Sequence, residues 1–153
     1  MAVWYRDGLS FQCTQCGRCC GGGPGVVWVD LEEIRRIAQF VSMHPDDLWG
    51  PILRRVGLAR ISLTERSNGD CVFLKRLDDG RKACSIYPVR PQQCRTWPFW
   101  NSNLRTRPAW QQAAATCPGM DRGQHYDLAG IEAIRTAEPW HRQAEGQRRE
   151  AGQ

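Results

Sequence analysis

The chain has 153 residues, 41% hydrophobic and 24% charged, a composition that predicts one globular domain with a modest core. Its formal net charge is +5, but no dense run of lysine or arginine occurs, which argues against a nucleic-acid partner. No apolar stretch approaches the length of a membrane span, and residues 1–8 lack the basic and apolar regions of a secretory signal. We therefore expect a cytoplasmic protein without a membrane partner.

Cysteine is the residue type that carries the chemistry. Four cysteines fall in one short stretch, spaced C-x2-C-x2-C-C, and four more follow singly: Cys13, Cys16, Cys19 and Cys20, then Cys71, Cys84, Cys94 and Cys117. In the cytosol such spacing favours metal ligation over a disulfide knot or inert buried thiols. Gly17 permits the tight backbone of the loop, and Arg18 brings positive charge towards sulfurs that must ionise to bind metal.

The first regular elements follow this cysteine loop. Residues 26–29 form a short apolar run that is typical of a β-strand. Asp30 and Glu33 have the spacing of a capping box, and apolar residues recur after them at helical intervals. We predict an amphipathic helix over residues 31–42 that packs on the core and shields the cysteine loop.

The next stretch offers weaker signals. Residues 44–47 predict a short helical segment that breaks or restarts at Gly50–Pro51, with Gly57 as its end. Residues 58–70 are polar and contain no linker long enough to mark a domain boundary.

A β-hairpin is predicted next. Residues 71–74 and 83–87 form two strand-like runs around an Asp-Asp-Gly turn at 78–80, and prolines stop the second run. Such a hairpin would bring Cys71 and Cys84 within a few residues of each other across the strands.

The C-terminal part carries aromatic and helical signals. Residues 97–100 (Trp-Pro-Phe-Trp) form an aromatic patch that we expect to cover the small core. A helix over residues 108–116 would lead to Cys117, and Asp127 would cap a last helix that runs to about Ala137.

These elements predict a small, loop-rich α+β fold. It would contain a short β-hairpin and three to four helices around a cysteine-ligated metal centre. We assign residues 1–141 to a single domain and residues 142–153 to a polar C-terminal tail.

The run from Phe11 to Cys20 resembles the signature of the YkgJ-type cysteine-cluster family, which is known for zinc or iron chelation. The similarity covers residues 11–119 in the order of the family, through Cys71–Leu74, Cys84–Arg95, Trp97–Phe99 and Cys117–Gly119. The chain departs from the pattern at Met120–Asp121, where the family continues with small or apolar residues and glycine. The resemblance implies metal or iron–sulfur binding and supplies no reaction.

Three functions fit these observations. The protein could bind zinc, for which eight thiolates would supply two tetrahedral sites. It could bind an iron–sulfur cluster, which the C-x2-C-x2-C spacing slightly favours because it resembles ferredoxin-type ligation. The alternative is an iron–sulfur enzyme, since the cysteine pattern resembles that of the lysine N-methylase that modifies flagellin. No Ser-His-Asp, paired-carboxylate or P-loop arrangement occurs, which argues against conventional hydrolase or nucleotide chemistry. The sequence does not decide whether the protein is an enzyme or which protein it contacts.

We predict that all eight cysteines are metal ligands and that they converge on one region. Charged and polar partners of the ligand sulfurs are expected to be Arg18, Tyr87, Arg90 and Arg95. The enzyme hypothesis would let Tyr87, Arg90 and Arg95 handle a substrate, but neutralising thiolate charge is the simpler role. His125 is a weaker candidate for a substitute ligand.

Overall fold

The computed structural model describes residues 2–20 and 25–137. In chain order the elements are β1 Leu9–Phe11, α1 Leu31–Val41, β2 Leu53–Val56, β3 Arg60–Leu63, β4 Leu74–Arg76, β5 Lys82–Cys84, α2 Gln92–Thr96, α3 Asn101–Leu104, α4 Arg107–Ala114, β6 Met120–Tyr126 and α5 Leu128–Thr136. The strands pair in small antiparallel sheets, so the predicted α+β class is confirmed. Within the described residues, no helix has the length and apolar character that crossing a membrane requires.

The chain divides into two compact units, which are described separately. The central unit is Gln15–Arg95, and the terminal unit combines Met1–Thr14 with Thr96–Gln153. The assignment of residues 1–141 to a single domain stays a prediction. The predicted tail, residues 142–153, lies outside the described residues.

Helix α1 of the central unit begins as predicted. The Asp30 side chain accepts a hydrogen bond from the Glu33 N–H at 2.7 Å, and the Glu33 carboxylate accepts one from the Asp30 N–H at 3.0 Å. The helix ends where Ser42 adopts a left-handed φ of 58°. Its apolar face lies in the core of the unit, which includes Ile34, Ile37, Ala38, Leu48, Leu53, Leu63, Phe73 and Ile86.

Glu33 also connects α1 with the start of α2. Its side chain is buried, and its Oε1 accepts a hydrogen bond from the Gln92 N–H at 2.7 Å. One carboxylate therefore satisfies backbone donors at the first turns of two helices, where such donors lack partners within the helix. Because α2 contains Cys94, this contact also determines where that cysteine is presented.

We expect Glu33→Ala to lower the free energy of unfolding by about 2–4 kcal/mol, because it leaves two backbone N–H groups without a charged acceptor. Glu32→Ala is the matched control on the same helix, since Glu32 is exposed and pairs with Arg35 and Arg36 at the surface. Its effect should stay within about 0.5 kcal/mol. Urea unfolding of both variants measures the difference, and equal losses would contradict this account of Glu33.

The hairpin β2–β3 corrects one sequence prediction. The segment expected to continue as helix after Gly50–Pro51 is a strand, in which Leu53 pairs with Leu63. Both leucines are buried in the central core, and Gly57 lies in the connecting turn with a φ of 67°. The apolar run 26–29 lies alongside β3 through a single bridge from Trp28 to Ser62, so it is extended without forming a full strand.

The predicted second hairpin is confirmed, but its strands are shorter than expected and lie closer to the turn, so that residues 71–73 and 85–87 are outside them. Strands β4 and β5 pair with Leu74 opposite Cys84, and hydrogen bonds from the Leu77 and Gly80 N–H groups close the turn. Cys71 precedes β4 in a turn in which its carbonyl accepts the Leu74 N–H at 2.9 Å. Cys71 and Cys84 are therefore near one another across the hairpin, as predicted.

The terminal unit is built around aromatic side chains. Strand β1 pairs with β6, and Phe99 is 2% exposed in contact with the rings of Phe11, Trp110 and Tyr126. The predicted aromatic patch thus contributes directly to this core. The helices expected at 108–116 and 128–137 are confirmed as α4 and α5, and the Asp127 side chain caps α5 through the Gly130 N–H at 2.8 Å.

A buried tyrosine connects the N-terminal segment to α5. The Tyr5 hydroxyl donates to Glu132 Oε1 at 2.6 Å, and Arg135 donates to both oxygens of the same carboxylate. The Arg135 hydrogen bond lowers the pKa of Glu132, whereas burial and the Glu132 hydrogen bond raise the pKa of Tyr5 to about 12.

We expect the terminal unit to lose stability at both ends of the pH range. A carboxyl whose pKa is lowered by folding stabilises the fold above its unfolded pKa, and this contribution disappears as pH falls below about 4. For Tyr5 the contribution is complete below pH 10 and disappears as pH rises towards its folded pKa of about 12. Melting temperatures measured against pH should show a weaker acid dependence in Glu132→Gln and a weaker alkaline dependence in Tyr5→Phe. Profiles parallel to wild type would contradict the prediction.

Candidate metal centre

The cysteine loop packs against the hairpin β4–β5 at Gly17. This residue has a φ of 74°, and an added Cβ would lie 2.8 Å from Leu74 Cδ1 and 3.2 Å from Lys82 Cβ. Any other residue would be strained and too large for the space. The predicted need for glycine here is therefore confirmed, and the close approach places the loop against the strands that carry Cys84.

Backbone contacts bring the separate cysteine segments of the central unit together. The Cys71 N–H donates to the Cys20 carbonyl at 2.7 Å, and Cys84 pairs with Leu74 in the hairpin. Cys94 lies in α2, where its thiol interacts electrostatically with Cys19, Cys71 and Cys84. Thiols that are far apart in sequence thus influence one another's ionisation in the folded unit.

Cys20 lies at the middle of a hydrogen-bonded trio of thiols. Its Sγ is 4.0 Å from the Sγ of Cys19, and it also forms a hydrogen bond with Cys84. These contacts lower the pKa values of Cys19 and Cys84 to about 7 and raise the pKa of Cys20 far above its ordinary value. The hydrogen bonds therefore favour the thiolate forms of Cys19 and Cys84 and the protonated form of Cys20.

Backbone N–H groups are directed at two of the sulfurs. The Phe73 N–H donates to Cys71, and the Ile86 N–H donates to Cys84. Each donor lies two residues after its cysteine, so the turn that presents the thiol also stabilises its thiolate. Burial still raises the pKa values of Cys71 and Cys94, because their surroundings disfavour an isolated negative charge.

Arg90 supplies positive charge to this group of sulfurs. Its charge favours the thiolate forms of Cys19, Cys84 and Cys94, although burial keeps the pKa of Cys94 raised. Its guanidinium carbon lies 3.8 Å from the centre of the Tyr87 ring, and its Nε donates to the Tyr87 carbonyl at 3.1 Å. The other two predicted basic partners, Arg18 and Arg95, are exposed residues of the central unit.

Cys13 and Cys117 belong to the terminal unit. The residue before Cys13, Gln12, donates its N–H to the carbonyl of Gly119 at 3.0 Å. The Cys117 sulfur accepts a hydrogen bond from the Trp97 indole N–H at 3.4 Å, and Cys13 is exposed. His125, the weaker candidate, is exposed on β6 opposite Ser10.

The donor set fits zinc or iron, although the side chains are not arranged as a complete site. All eight cysteines lie in the described residues and are outside any disulfide, and thiolates are soft ligands that both metals accept. Within residues 2–20 and 25–137, no group of three or more His, Cys, Asp or Glu side chains is arranged to hold a metal ion. The convergence of all eight cysteines on one region stays a prediction.

Arg66 and Trp97 were not among the predicted site residues. Arg66 donates to the carbonyls of Val72 and Leu74, beside Cys71, and nothing in its sequence context marks it. Trp97 was assigned to an aromatic patch, and its position in a Trp-Pro-Phe-Trp run gave no sign of a sulfur contact.

Comparison with known proteins agrees with this cysteine-based site. The model of the family described as "Putative zinc- or iron-chelating domain", CxxCxxCC, matches residues 12–118. The chain belongs to the CxxCxxCC family. An uncharacterized protein of Methanocaldococcus jannaschii is 33% identical over 95 residues, which cover 62% of this chain and 48% of the relative, so the match spans about half of that protein. No solved structure matches the chain.

The CxxCxxCC match ends just before the predicted departure at Met120–Asp121. Met120 is buried in the terminal core, and Asp121 has a φ of 63° and accepts the Trp110 indole N–H at 2.9 Å. Both residues therefore stabilise the start of β6, and the departure from the family pattern at these positions stays a prediction.

Proposed function

We propose that the protein binds zinc or iron through the thiolates of its eight cysteines. The observation that carries the proposal is the trio in which Cys20 hydrogen-bonds to both Cys19 and Cys84. Three thiols from the loop and the hairpin meet there, and thiolates this close repel one another once all are ionised. A divalent cation bound among them would remove that repulsion.

The surrounding residues have the properties that a thiolate site requires. Ligand thiols must lose their protons, so stabilisation of thiolates by Arg90 and by the N–H groups of Phe73 and Ile86 favours binding. We place the protein in the cytoplasm, where the reducing environment keeps free thiols available.

The choice between zinc and an iron–sulfur cluster depends on the ligand spacing. The C-x2-C-x2-C run of Cys13, Cys16 and Cys19 resembles the loops that hold iron–sulfur clusters, and it slightly favours iron. A bound group would supply either a structural cross-link or an electron-transfer centre.

Metal analysis of protein purified without oxygen tests the proposal. We expect stoichiometric zinc, or iron with an equal amount of acid-labile sulfide and visible charge-transfer absorption. The matched control is the same protein alkylated with iodoacetamide before zinc or iron is added, which should bind neither. Absence of both metals from the anaerobic protein, together with no uptake after reconstitution, would contradict the proposal.

The alternative is an iron–sulfur enzyme related to the flagellin lysine N-methylase. It would use the same thiolates and would require Arg90 or Tyr87 to reach a substrate. In the central unit Arg90 is already engaged with the Tyr87 ring, its carbonyl and the sulfurs, which favours the chelating role.

A further inference from the structure

Arg66 is bound to the short turn that presents Cys71. Its Nη1 donates to the Leu74 carbonyl at 2.6 Å, and its Nη2 donates to the Val72 carbonyl at 3.0 Å. Its own backbone N–H donates to the Asp70 carbonyl at 2.8 Å, directly before the cysteine. One arginine therefore holds the backbone on both sides of Cys71.

The same turn is connected to Cys84. Between the two carbonyls that Arg66 binds lies Phe73, whose N–H is directed at the Cys71 sulfur. The Phe73 carbonyl accepts both the N–H and the hydroxyl of Ser85, each at 2.8 Å, and Ser85 follows Cys84. Displacement of the turn would therefore move the Phe73 N–H away from the Cys71 sulfur. It would also move Ser85, which is the residue after Cys84.

We propose that Arg66 is a positioning residue of the metal centre, which fixes Cys71 and its N–H donor for ligation. This inference rests on the proposed function of metal binding. The guanidinium group lies near enough to stabilise a Cys71 thiolate, but its two directed hydrogen bonds are what a lysine cannot reproduce. Positioning, and not charge alone, is the role that the geometry assigns.

Three variants of the full chain separate these roles. Arg66→Gln removes both the positive charge and the pair of guanidinium N–H donors. Arg66→Lys keeps the charge but lacks that pair of donors. Arg76→Gln removes an exposed arginine at the end of β4 in the same hairpin and serves as the control. Near-UV circular dichroism checks that each variant is folded.

The first readout is zinc affinity, measured by competition with a chelator. We expect Arg66→Gln to bind zinc about 10-fold more weakly, as is usual when a partner of a ligand is removed. Arg66→Lys should recover little of this loss, and Arg76→Gln should equal wild type.

The second readout is alkylation of Cys71 in the reduced protein as purified, mapped by mass spectrometry and divided by its alkylation in the same protein unfolded in urea, since Cys71 is buried in the fold. The ratio should rise in Arg66→Gln and in Arg66→Lys. If either Arg66 variant keeps the wild-type zinc affinity and the wild-type Cys71 alkylation ratio, the proposal is overturned. If Arg66→Gln does not fold, the result for Arg66→Lys decides. If wild-type protein binds neither zinc nor iron, the proposed function fails, while the Cys71 ratio still decides whether Arg66 positions the turn.

Discussion

Removing metal with a chelator, in the presence of a reductant, is expected to unfold or strongly destabilise the central unit. Several segments of this unit meet at thiols: the loop of Cys20, the turn of Cys71, the strand of Cys84 and the helix of Cys94. Apparent binding free energies of structural zinc are about 10–16 kcal/mol, comparable with or larger than the net stability of a domain, about 5–15 kcal/mol. Without metal, those segments are joined by the apolar core of the unit and by backbone hydrogen bonds such as that from the Cys71 N–H to the Cys20 carbonyl.

Hydrogen exchange followed by mass spectrometry measures this effect locally. Protection should fall at amides that join the segments, such as those of Leu63, Cys71 and Ser85. Adding zinc or iron back should restore both protection and melting temperature. A chelated protein that keeps its melting temperature and its protection at these amides would show that the fold does not depend on metal.

Cys20→Ser is expected to reduce metal affinity more than about 100-fold, beyond the usual effect of removing an outer partner of a ligand. Cys20 contacts both Cys19 and Cys84, and its carbonyl accepts the Cys71 N–H. A serine hydroxyl preserves the size of the side chain but is a poor ligand for zinc and iron, because it does not ionise near neutral pH.

Metal content per chain and a chelator competition measure the Cys20→Ser effect. Ser67→Ala, at an exposed position of the same unit, is the control and should retain wild-type affinity. In Cys20→Ala, which lacks a donor, we expect the pKa values of Cys19 and Cys84 to rise towards those of ordinary thiols, because the Cys20 hydrogen bond is the main cause that lowers them. Unchanged metal content and affinity in Cys20→Ser would remove Cys20 from the set of ligands.

Local signals were sufficient for several elements. The Asp30–Glu33 capping box and the helical spacing after it predicted α1, and Asp127 predicted the start of α5. The Asp-Asp-Gly turn predicted the β4–β5 hairpin. In each case the residues that decide the structure are within a few positions of one another, so their preferences do not depend on the rest of the chain.

Residues 52–57 show where local signals fail. Ile52, Leu53 and Val56 fit a helical spacing as well as an extended one, and the helical prediction is wrong. The strand forms because β3 provides hydrogen-bond partners and because pairing buries Leu53 with Leu63. Neither partner can be recognised from the sequence of the segment itself.

The candidate metal centre also combines features that the sequence predicts with features that depend on the fold. The eight cysteines, their spacing and the glycine at position 17 are properties of the sequence, and by themselves they indicate zinc or iron chelation. Only the tertiary structure decided that Cys20 contacts Cys84, that the Cys71 turn is bonded to the Cys20 carbonyl, and that Arg66 holds this turn. These contacts join residues far apart in the chain, and the packing of the loop on the hairpin determines which thiols contact one another.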